Sequence, residues 1–242
     1  METPLNVLSR GFPQHKELNP KIWEPGDGGY VLRKNVRRQL LTIAYDFLQY
    51  LNVPHLPVVD VLMIGSLANY NWNPYSDVDL HLLVDFSKVH ADREVVSELF
   101  DAKKNLYNAL YDLTCEGYPV ELYVQDVAEP NAAEGVYSLL NDAWIKEPRE
   151  RDGTLNRKRI LQKTKNVIAR IEGVLGEKNP RRALAMIDKM KEKIRQYRKA
   201  GLEKGGELAV ENIVFKILRR LGYIERLSKY KTAVKNRLMS TE

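Results

Sequence analysis

The chain has 242 residues, 44% hydrophobic and 29% charged, enough to bury the core of one large domain or two small ones. No apolar stretch approaches the ~18 residues of a transmembrane helix, and the N-terminal segment lacks a signal-peptide apolar core. The single cysteine, Cys115, excludes an intrachain disulfide and a multi-cysteine zinc site. We therefore expect a cytoplasmic protein with no membrane and no disulfide partner.

The net charge of +6 conceals an asymmetry between the two parts of the chain. Residues 1–150 carry a formal charge of −9, whereas residues 151–242 carry +15. Such a division suggests two regions with different partners. The basic part suits a polyanion, and a set of solvated helix faces is the alternative interpretation.

The first elements are predicted from composition and periodicity. Residues 1–32 are rich in proline and glycine and predict an irregular arm. Apolar residues at helical spacing predict a helix over 33–51, and a mostly apolar run predicts a buried strand over 58–64. The arm has three apolar residues to anchor it on the body, namely Phe12, Ile22 and Trp23.

Gly65 and Ser66 end this strand and precede a predicted short helix that begins at Leu67. Backbone N–H groups at such a turn bind anions well. The segment that follows contains three aromatic residues, Tyr70, Trp72 and Tyr75. They either frame a base or substrate or pack the loop on the core.

Two aspartates begin the next predicted strand, which spans 77–86. Asp77 and Asp79 are two residues apart, so their carboxylates leave the same face, roughly 7 Å apart at Cα. Magnesium prefers oxygen ligands and bridges carboxylates to nucleotide phosphates. His81 shares this face and either tunes the site or forms a structural hydrogen bond.

A helix over 94–114 and a strand over 120–124 follow. The strand contains one acid, Glu121, on the face opposite its valines and leucine. Segments 135–140 and 143–146 are predicted to pair as a hairpin. The apolar stripe of the helix, expected to face the core, consists of Val95, Leu99, Ala102, Leu106, Leu110 and Leu113.

Residues 154–239 predict four helices, the first capped by Thr154. Their apolar stripes indicate a core rather than a cofactor site. Aromatic residues are sparse on their outward faces, so phosphate contact is the use that the basic residues suggest.

The strand, the Gly65-Ser66 turn, the spacer and Asp77-x-Asp79 in a second strand together resemble the DNA polymerase β-like nucleotidyltransferase superfamily. The resemblance covers roughly residues 33–126. The flanks are similar to those of uncharacterised nucleotidyltransferases encoded by phages, which would work in the host cytoplasm. The resemblance implies an α+β fold, with a nucleotidyltransferase core of mixed sheet and flanking helices over 33–150, followed by a basic helical domain over 151–242.

By the resemblance, a third carboxylate comes from a neighbouring strand, which makes Glu121 the best candidate and Asp126 the fallback. The carboxylates would hold two Mg²⁺ ions, with Mn²⁺ as a possible substitute, and transfer an NMP from an NTP, ATP or CTP, to an acceptor hydroxyl with release of pyrophosphate. The implied catalytic and metal-binding residues are Asp77, Asp79 and Glu121. The implied nucleotide-binding residues are Gly65, Ser66, Asn69, Tyr75 and Ser76.

The acceptor is predicted from the basic helical part. An RNA 3′ end, tRNA-like, is the first hypothesis. Nucleotidylation of a small molecule or a protein hydroxyl is the second, and a non-catalytic nucleotide- or RNA-binding module is the third. The residues predicted to bind nucleic acid are Arg157, Lys158, Lys163, Arg181, Arg182 and Arg195.

Overall fold

The computed structural model describes residues 3–12, 15–130, 133–150 and 155–240. The chain divides into two compact units, one formed by residues 11–151 and the other by residues 1–10 together with 152–242. Within the described part of the chain, no helix has the length and apolar character needed to cross a membrane.

Unit 11–151 is an α+β fold. Its described strands are β1 Trp23–Gly26, β2 Gly29–Leu32, β3 Val58–Ile64, β4 Val78–Val84, β5 Thr114–Cys115, β6 Tyr118–Asp126, β7 Val136–Ser138 and β8 Ala143–Lys146. Six of these form one mixed sheet in the order β5-β6-β4-β3-β7-β8. Strands β4 and β6 pair in parallel and the other neighbours pair antiparallel, which confirms the predicted mixed sheet.

The helices of the chain begin with α1 Pro4–Gly11, and two longer helices, α2 Lys34–Leu51 and α3 Arg93–Leu110, belong to the α+β unit. Because β4 and β6 are parallel, their connection must cross from one end of the sheet to the other, and α3 makes that crossing. Helix α2 buries its predicted stripe, which consists of Val36, Leu40, Ile43, Phe47 and Leu51.

Strand β4 shows why the site lies where it does. Val78, Leu80, Leu82 and Val84 are buried and alternate with partly exposed residues, as expected for a strand with one core face. The opposite face carries the acids. The hydrophobic core therefore holds the strand in a register that directs Asp79 away from it.

The prediction of an irregular N-terminal arm is wrong in its secondary structure. The described residues form α1 and the hairpin of β1 and β2, in which Gly26 pairs with Gly29 across Asp27-Gly28. An Asp-Gly dipeptide is a strong signal for a two-residue hairpin turn, so the glycines mark a tight turn rather than irregular structure. The predicted anchors Ile22 and Trp23 are buried.

The predicted apolar stripe of α3 is also wrong. Val95, Leu99, Leu106 and Leu110 are 43–59% exposed, and the buried residues are Val96, Phe100 and Tyr107. The helix carries two apolar lines, and the line with two aromatic rings faces the core because large aromatic side chains bury the most area. Phe100 packs on Phe86, and Tyr107 packs on Phe47. The helix also ends at Leu110, four residues before the predicted end.

The short helix expected after Gly65 is a single 3₁₀ turn, Ser66–Ala68, followed by Asn69 in an extended conformation. One turn has no helix macrodipole of consequence, so a helix dipole adds little to anion binding by the backbone N–H groups of this turn. The predicted hairpin near residue 141 is present as β7 and β8.

The four predicted helices of the other unit are present as α4 Arg157–Leu175, α5 Pro180–Gly205, α6 Val210–Arg220 and α7 Tyr223–Met239. Thr154 lies outside the described residues, and the cap of α4 is Asn156, whose side chain accepts a hydrogen bond from the N–H of Arg159. Asn179 caps α5 in the same way, with Pro180 at the first helical position.

Candidate active site and metal centre

The site begins where β3 ends, at Gly65. Its backbone has φ 80° and ψ −160°, a conformation that is essentially limited to glycine. A Cβ atom at this position would lie 1.9 Å from Oδ2 of Asp79. Ile64 is the register partner of Asp79 in the β3–β4 pair, which brings the two strands together at this point. Gly65 therefore leaves the space in which the Asp79 carboxylate lies.

The third acid comes from β6. Asp79 and Glu121 are register partners in the parallel β4–β6 pair. Carboxylate oxygens of Asp77, Asp79 and Glu121 all lie within 4.8 Å of one another, and each of the three residues is partly buried. No other described cluster of three or more histidine, cysteine or acidic residues has this spacing.

The fallback ligand, Asp126, lies elsewhere. It pairs with Val84, at the other end of β4 from Asp79. Its carboxylate accepts hydrogen bonds from the N–H groups of Phe86 and Ala128 and forms an ion pair of 3.2 Å with Arg93. Asp126 thus stabilises the start of the segment leading to α3, and Glu121 is the acid next to the aspartates.

Two serines flank the loop between β3 and β4: Ser66 follows Gly65, and Ser76 precedes Asp77. Oγ of Ser66 and Oγ of Ser76 are 2.7 Å apart, and Oγ of Ser76 also accepts a hydrogen bond from the N–H of Asn73. This contact closes the loop between β3 and β4, because it joins residues ten positions apart. The residue before Asp77 is thereby held against the residue after Gly65.

The surroundings of Asn69 differ from those expected for a residue that contacts a nucleotide. It is buried, its Nδ2 donates to Glu134, and its Oδ1 accepts from the N–H of Tyr70. Both ends of the amide are engaged within the protein. Asn69 therefore braces the loop against the segment before β7, where Gly135 also approaches so closely that a Cβ would lie 1.9 Å from the Ala68 oxygen.

The three loop aromatics divide between the two predicted roles. The ring of Trp72 stacks on His15 with centroids 3.6 Å apart, and Tyr70 packs against the core. Tyr75 is 55% exposed. Packing is therefore the role of the first two, and Tyr75 is the one with a surface that a base could contact.

Trp23 supports the same loop. The sequence predicts only that Trp23 anchors the N-terminal arm, and it does not predict this contact with the loop. Its indole N–H donates to the carbonyl oxygen of Leu67 at 2.7 Å, and its ring stacks on Trp144 at 4.6 Å. No local pattern signals this bond, since the partners are 44 residues apart. The β1–β2 hairpin thus contributes to the position of the turn after Gly65.

Tyr123 is the most direct neighbour of the acids that sequence reasoning missed. Its hydroxyl donates to Oε2 of Glu121 at 2.7 Å. Burial raises the pKa of Tyr123, and the hydrogen bond and the negative charges of Glu121, Asp79 and Asp77 raise it further. The phenol therefore stays protonated and holds the Glu121 carboxylate. Glu121 and Tyr123 are two residues apart on one strand, so their side chains leave the same face, and this spacing is the sequence signal for their contact.

His81 lies behind this phenol. Its ring stacks on Tyr123 with centroids 4.7 Å apart, and its Nδ1 is 3.0 Å from Oε1 of Gln125. Burial lowers the pKa of His81 to about 4, with the Gln125 hydrogen bond opposing the shift and the charge of Lys104 adding to it. Nζ of Lys104 lies 4.6 Å from the Tyr123 ring centroid. These contacts favour the structural interpretation of His81.

The donor set fits a hard divalent cation. Carboxylates held this close repel one another unless protons or cations intervene. Mg²⁺ and Mn²⁺ both accept all-oxygen ligand sets, with Asp and Glu among the usual ligands. Asp77, Asp79 and Glu121 are the residues that could hold such ions.

The six cations predicted to bind nucleic acid are not gathered in one place. Lys163, Arg182 and Arg195 form ion pairs with Glu211, Glu177 and Glu192. Nζ of Lys163 lies 5.3 Å from the ring centroid of Tyr197 on α5. Only residues 176–179 join the end of α4 to the start of α5, so the start of α5 lies near the end of α4. Arg157 and Lys158 begin α4, whereas Arg181 and Arg182 begin α5, so the two pairs lie toward opposite ends of the helix pair.

Comparisons with known proteins give little beyond this geometry. No protein-family model matches the chain, and no curated protein matches it. A solved structure described as the STING-associated CdnE c-di-GMP synthase from Capnocytophaga granulosa aligns over 86% of this chain and 84% of its own. The identity is 9% and the TM-score is 0.24. An identity and a TM-score this low do not indicate a shared activity.

Proposed function

We propose that this protein is a metal-dependent nucleotidyltransferase. It transfers an NMP from an NTP to an acceptor hydroxyl and releases pyrophosphate. The observation that carries the proposal is the cluster of Asp77, Asp79 and Glu121, whose carboxylate oxygens lie within 4.8 Å of one another beside Gly65 and Ser66. The resemblance of the strand–Gly-Ser–Asp-x-Asp arrangement to the polymerase β-like superfamily supports the same reaction.

In this reaction the oxygen of the acceptor hydroxyl forms a bond to the α-phosphorus. The bond from that phosphorus to the oxygen bridging to the β-phosphate breaks, and pyrophosphate leaves with the electron pair. Divalent ions held by the three carboxylates would neutralise the triphosphate and stabilise the charge that develops in the displacement. Glu121 would take the hydroxyl proton or pass it to water.

The chain's own residues set the geometry. Gly65 leaves room for the Asp79 carboxylate, and Tyr123 directs Glu121 through its hydrogen bond. Ser66, partly exposed, offers its hydroxyl to the phosphates, and the buried Ser76 holds that hydroxyl through the contact between the two Oγ atoms. Tyr75, exposed after the turn, offers its ring to the base.

The acceptor that we propose is an RNA 3′ hydroxyl. The net charge of +15 in residues 151–242 supports it, because a polyanion is drawn to such a region. Arg157, Lys158 and Arg181 form no ion pair with any described residue, so they are available to contact phosphates.

The test supplies each α-labelled NTP with Mg²⁺ or Mn²⁺ to total RNA, soluble protein and a small-molecule extract. We expect labelled RNA with the wild type and with Asp112→Asn, an exposed acid outside the cluster, and no label with the isosteric Asp79→Asn. Label on protein or on a metabolite would move the acceptor to that class. Label that persists in Asp79→Asn, or no label in any pool, would contradict nucleotidyl transfer.

A further inference from the structure

The helical unit contains a hollow that the proposed reaction does not use. Three helices line it, each with one face: α4 from residue 163 to 170, α5 from 190 to 197, and α6 from 214 to 218. Its volume is about 230 Å³, roughly that of eight water molecules in the liquid. All of its lining residues belong to the helical unit.

The floor of the hollow is apolar. Ile194, Val214 and Leu218 are buried there. The rings of Tyr197 and Phe215 are partly exposed at its sides. Floors of this kind are typical of pockets that enclose the apolar body of a small molecule.

The rim is cationic, and this is the unusual feature. Lys163 and Arg170 on α4 and Lys193 on α5 line the same hollow, and none of its described lining residues is acidic. Arg170 and Lys193 form no ion pair with any described residue, whereas Lys163 pairs with Glu211 at 2.8 Å. Two positive charges thus face an apolar cavity with no anion from the chain opposite them.

Helical spacing brings the lining residues of each helix onto one side of that helix. On α4 the lining positions are 163, 166, 167 and 170, and on α5 they are 190, 193, 194 and 197. This i, i+3, i+4, i+7 spacing places each set along one side of its helix, and on α4 that side lies beside the buried stripe of Ile160, Thr164, Ile171 and Val174. Val167 is the apolar member of the α4 set, and the others are Lys163, Asn166 and Arg170. Arg170 and Lys193 are exposed, so their charges are solvated and remain accessible to an anion from solution.

We propose that this hollow binds a small amphipathic anion. The ligand has a compact apolar or aromatic body that lies on Ile194, Val214 and Leu218. It also has one anionic group, such as a sulfonate, carboxylate or phosphate, between Arg170 and Lys193. This binding site is independent of the nucleotidyl-transfer centre, so it stands or fails separately from the proposed function.

The test uses two probes of matched shape, naphthalene-2-sulfonate and the uncharged naphthalene-2-sulfonamide, titrated calorimetrically into the full chain. We expect one sulfonate site per chain and binding of the sulfonamide at least about 10-fold weaker, because charge complementarity is the proposed basis of recognition. Equal affinity for the two probes, or no saturable binding of the sulfonate, would overturn the proposal.

Variants locate the site. Arg170→Gln combined with Lys193→Gln should weaken sulfonate binding about 10-fold or more and leave the sulfonamide unchanged, since both residues are exposed and their loss should not disturb folding. Lys235→Gln, an exposed cation outside the hollow, is the matched control. Val167→Trp should fill the hollow and abolish binding of both probes, with circular dichroism verifying the fold.

Two outcomes would place the binding elsewhere. Sulfonate affinity that is the same in the double variant and the control would overturn the assignment to this hollow. The second outcome is that a short oligoribonucleotide displaces the sulfonate at concentrations at which inorganic phosphate and decanoate do not displace it. That result would make the hollow part of a nucleic-acid surface and would also overturn the proposal.

Discussion

Gly65→Ala should disable the candidate metal centre while the chain remains folded. The added Cβ would lie 1.9 Å from Oδ2 of Asp79, and ordinary contact begins near 3.4 Å, so the two must separate by about 1.5 Å. Ligand distances to a bound ion tolerate only about 0.2 Å. The Asp79 carboxylate therefore cannot keep its place in the cluster.

The expected magnitudes follow from this displacement. An alanine with φ 80° and ψ −160° costs about 1–3 kcal/mol of stability, which leaves a typical domain folded. Misplacing a group that orients a metal ligand lowers metal affinity about 10- to 100-fold. We expect a loss of this size in Mn²⁺ affinity, measured by the electron paramagnetic resonance signal of the free ion.

Gly117→Ala is the matched control. Gly117 has φ 84°, and nothing lies within 4 Å of its added Cβ, so the substitution brings backbone strain without a collision. We expect a stability loss of about 1–2 kcal/mol and unchanged Mn²⁺ affinity. Folded Gly65→Ala protein that binds Mn²⁺ like the wild type, or an equal loss of affinity in both variants, would refute the reasoning.

Three further expectations concern Tyr123, His81 and Cys115. Tyr123→Phe, which removes the hydrogen bond to Glu121, should lower Mn²⁺ affinity about 10-fold, whereas the exposed Tyr111→Phe should not; equal affinities would show that the bond does not position the ligand. The pKa of His81 is about 4 in the folded chain and near 6.5 when unfolded, so its contribution to stability is present above pH 6.5 and is lost as the pH falls towards 4. Urea unfolding without metal should therefore show the wild type losing about 2 kcal/mol more than His81→Gln between about pH 7 and about pH 4.5, and parallel curves would contradict this. Burial raises the pKa of the Cys115 thiol to about 11, so Ellman's reagent should react with it only in the unfolded chain, and rapid reaction of the native protein would contradict its burial.

The candidate site shows how much of its geometry can be predicted from the local sequence pattern. Successive side chains of a strand leave opposite faces, so the alternation around Asp79 predicts correctly which face carries the acids and which is buried. The position of Glu121 beside Asp79 depends on the register between β4 and β6, which are joined through α3. Register between distant strands arises from packing of the whole sheet, so the sequence left both Glu121 and Asp126 as candidates.

The α3 helix shows where periodicity fails. Its sequence carries two apolar lines, and each has helical spacing. Which line faces the core depends on the partners that the sheet and α2 present, and the line with Phe100 and Tyr107 fits them best. Nothing within the segment decides between two such faces.

The sequence by itself determined the order of the elements in the motif and the shared face of Asp77 and Asp79, because both follow from short-range geometry. Only the tertiary structure decided that Gly65 makes room for a carboxylate 14 positions later and that Trp23 holds the turn through the Leu67 carbonyl. It also decided which cations line an apolar hollow. These contacts join residues distant in the chain, and such contacts form only when the core packs as a whole.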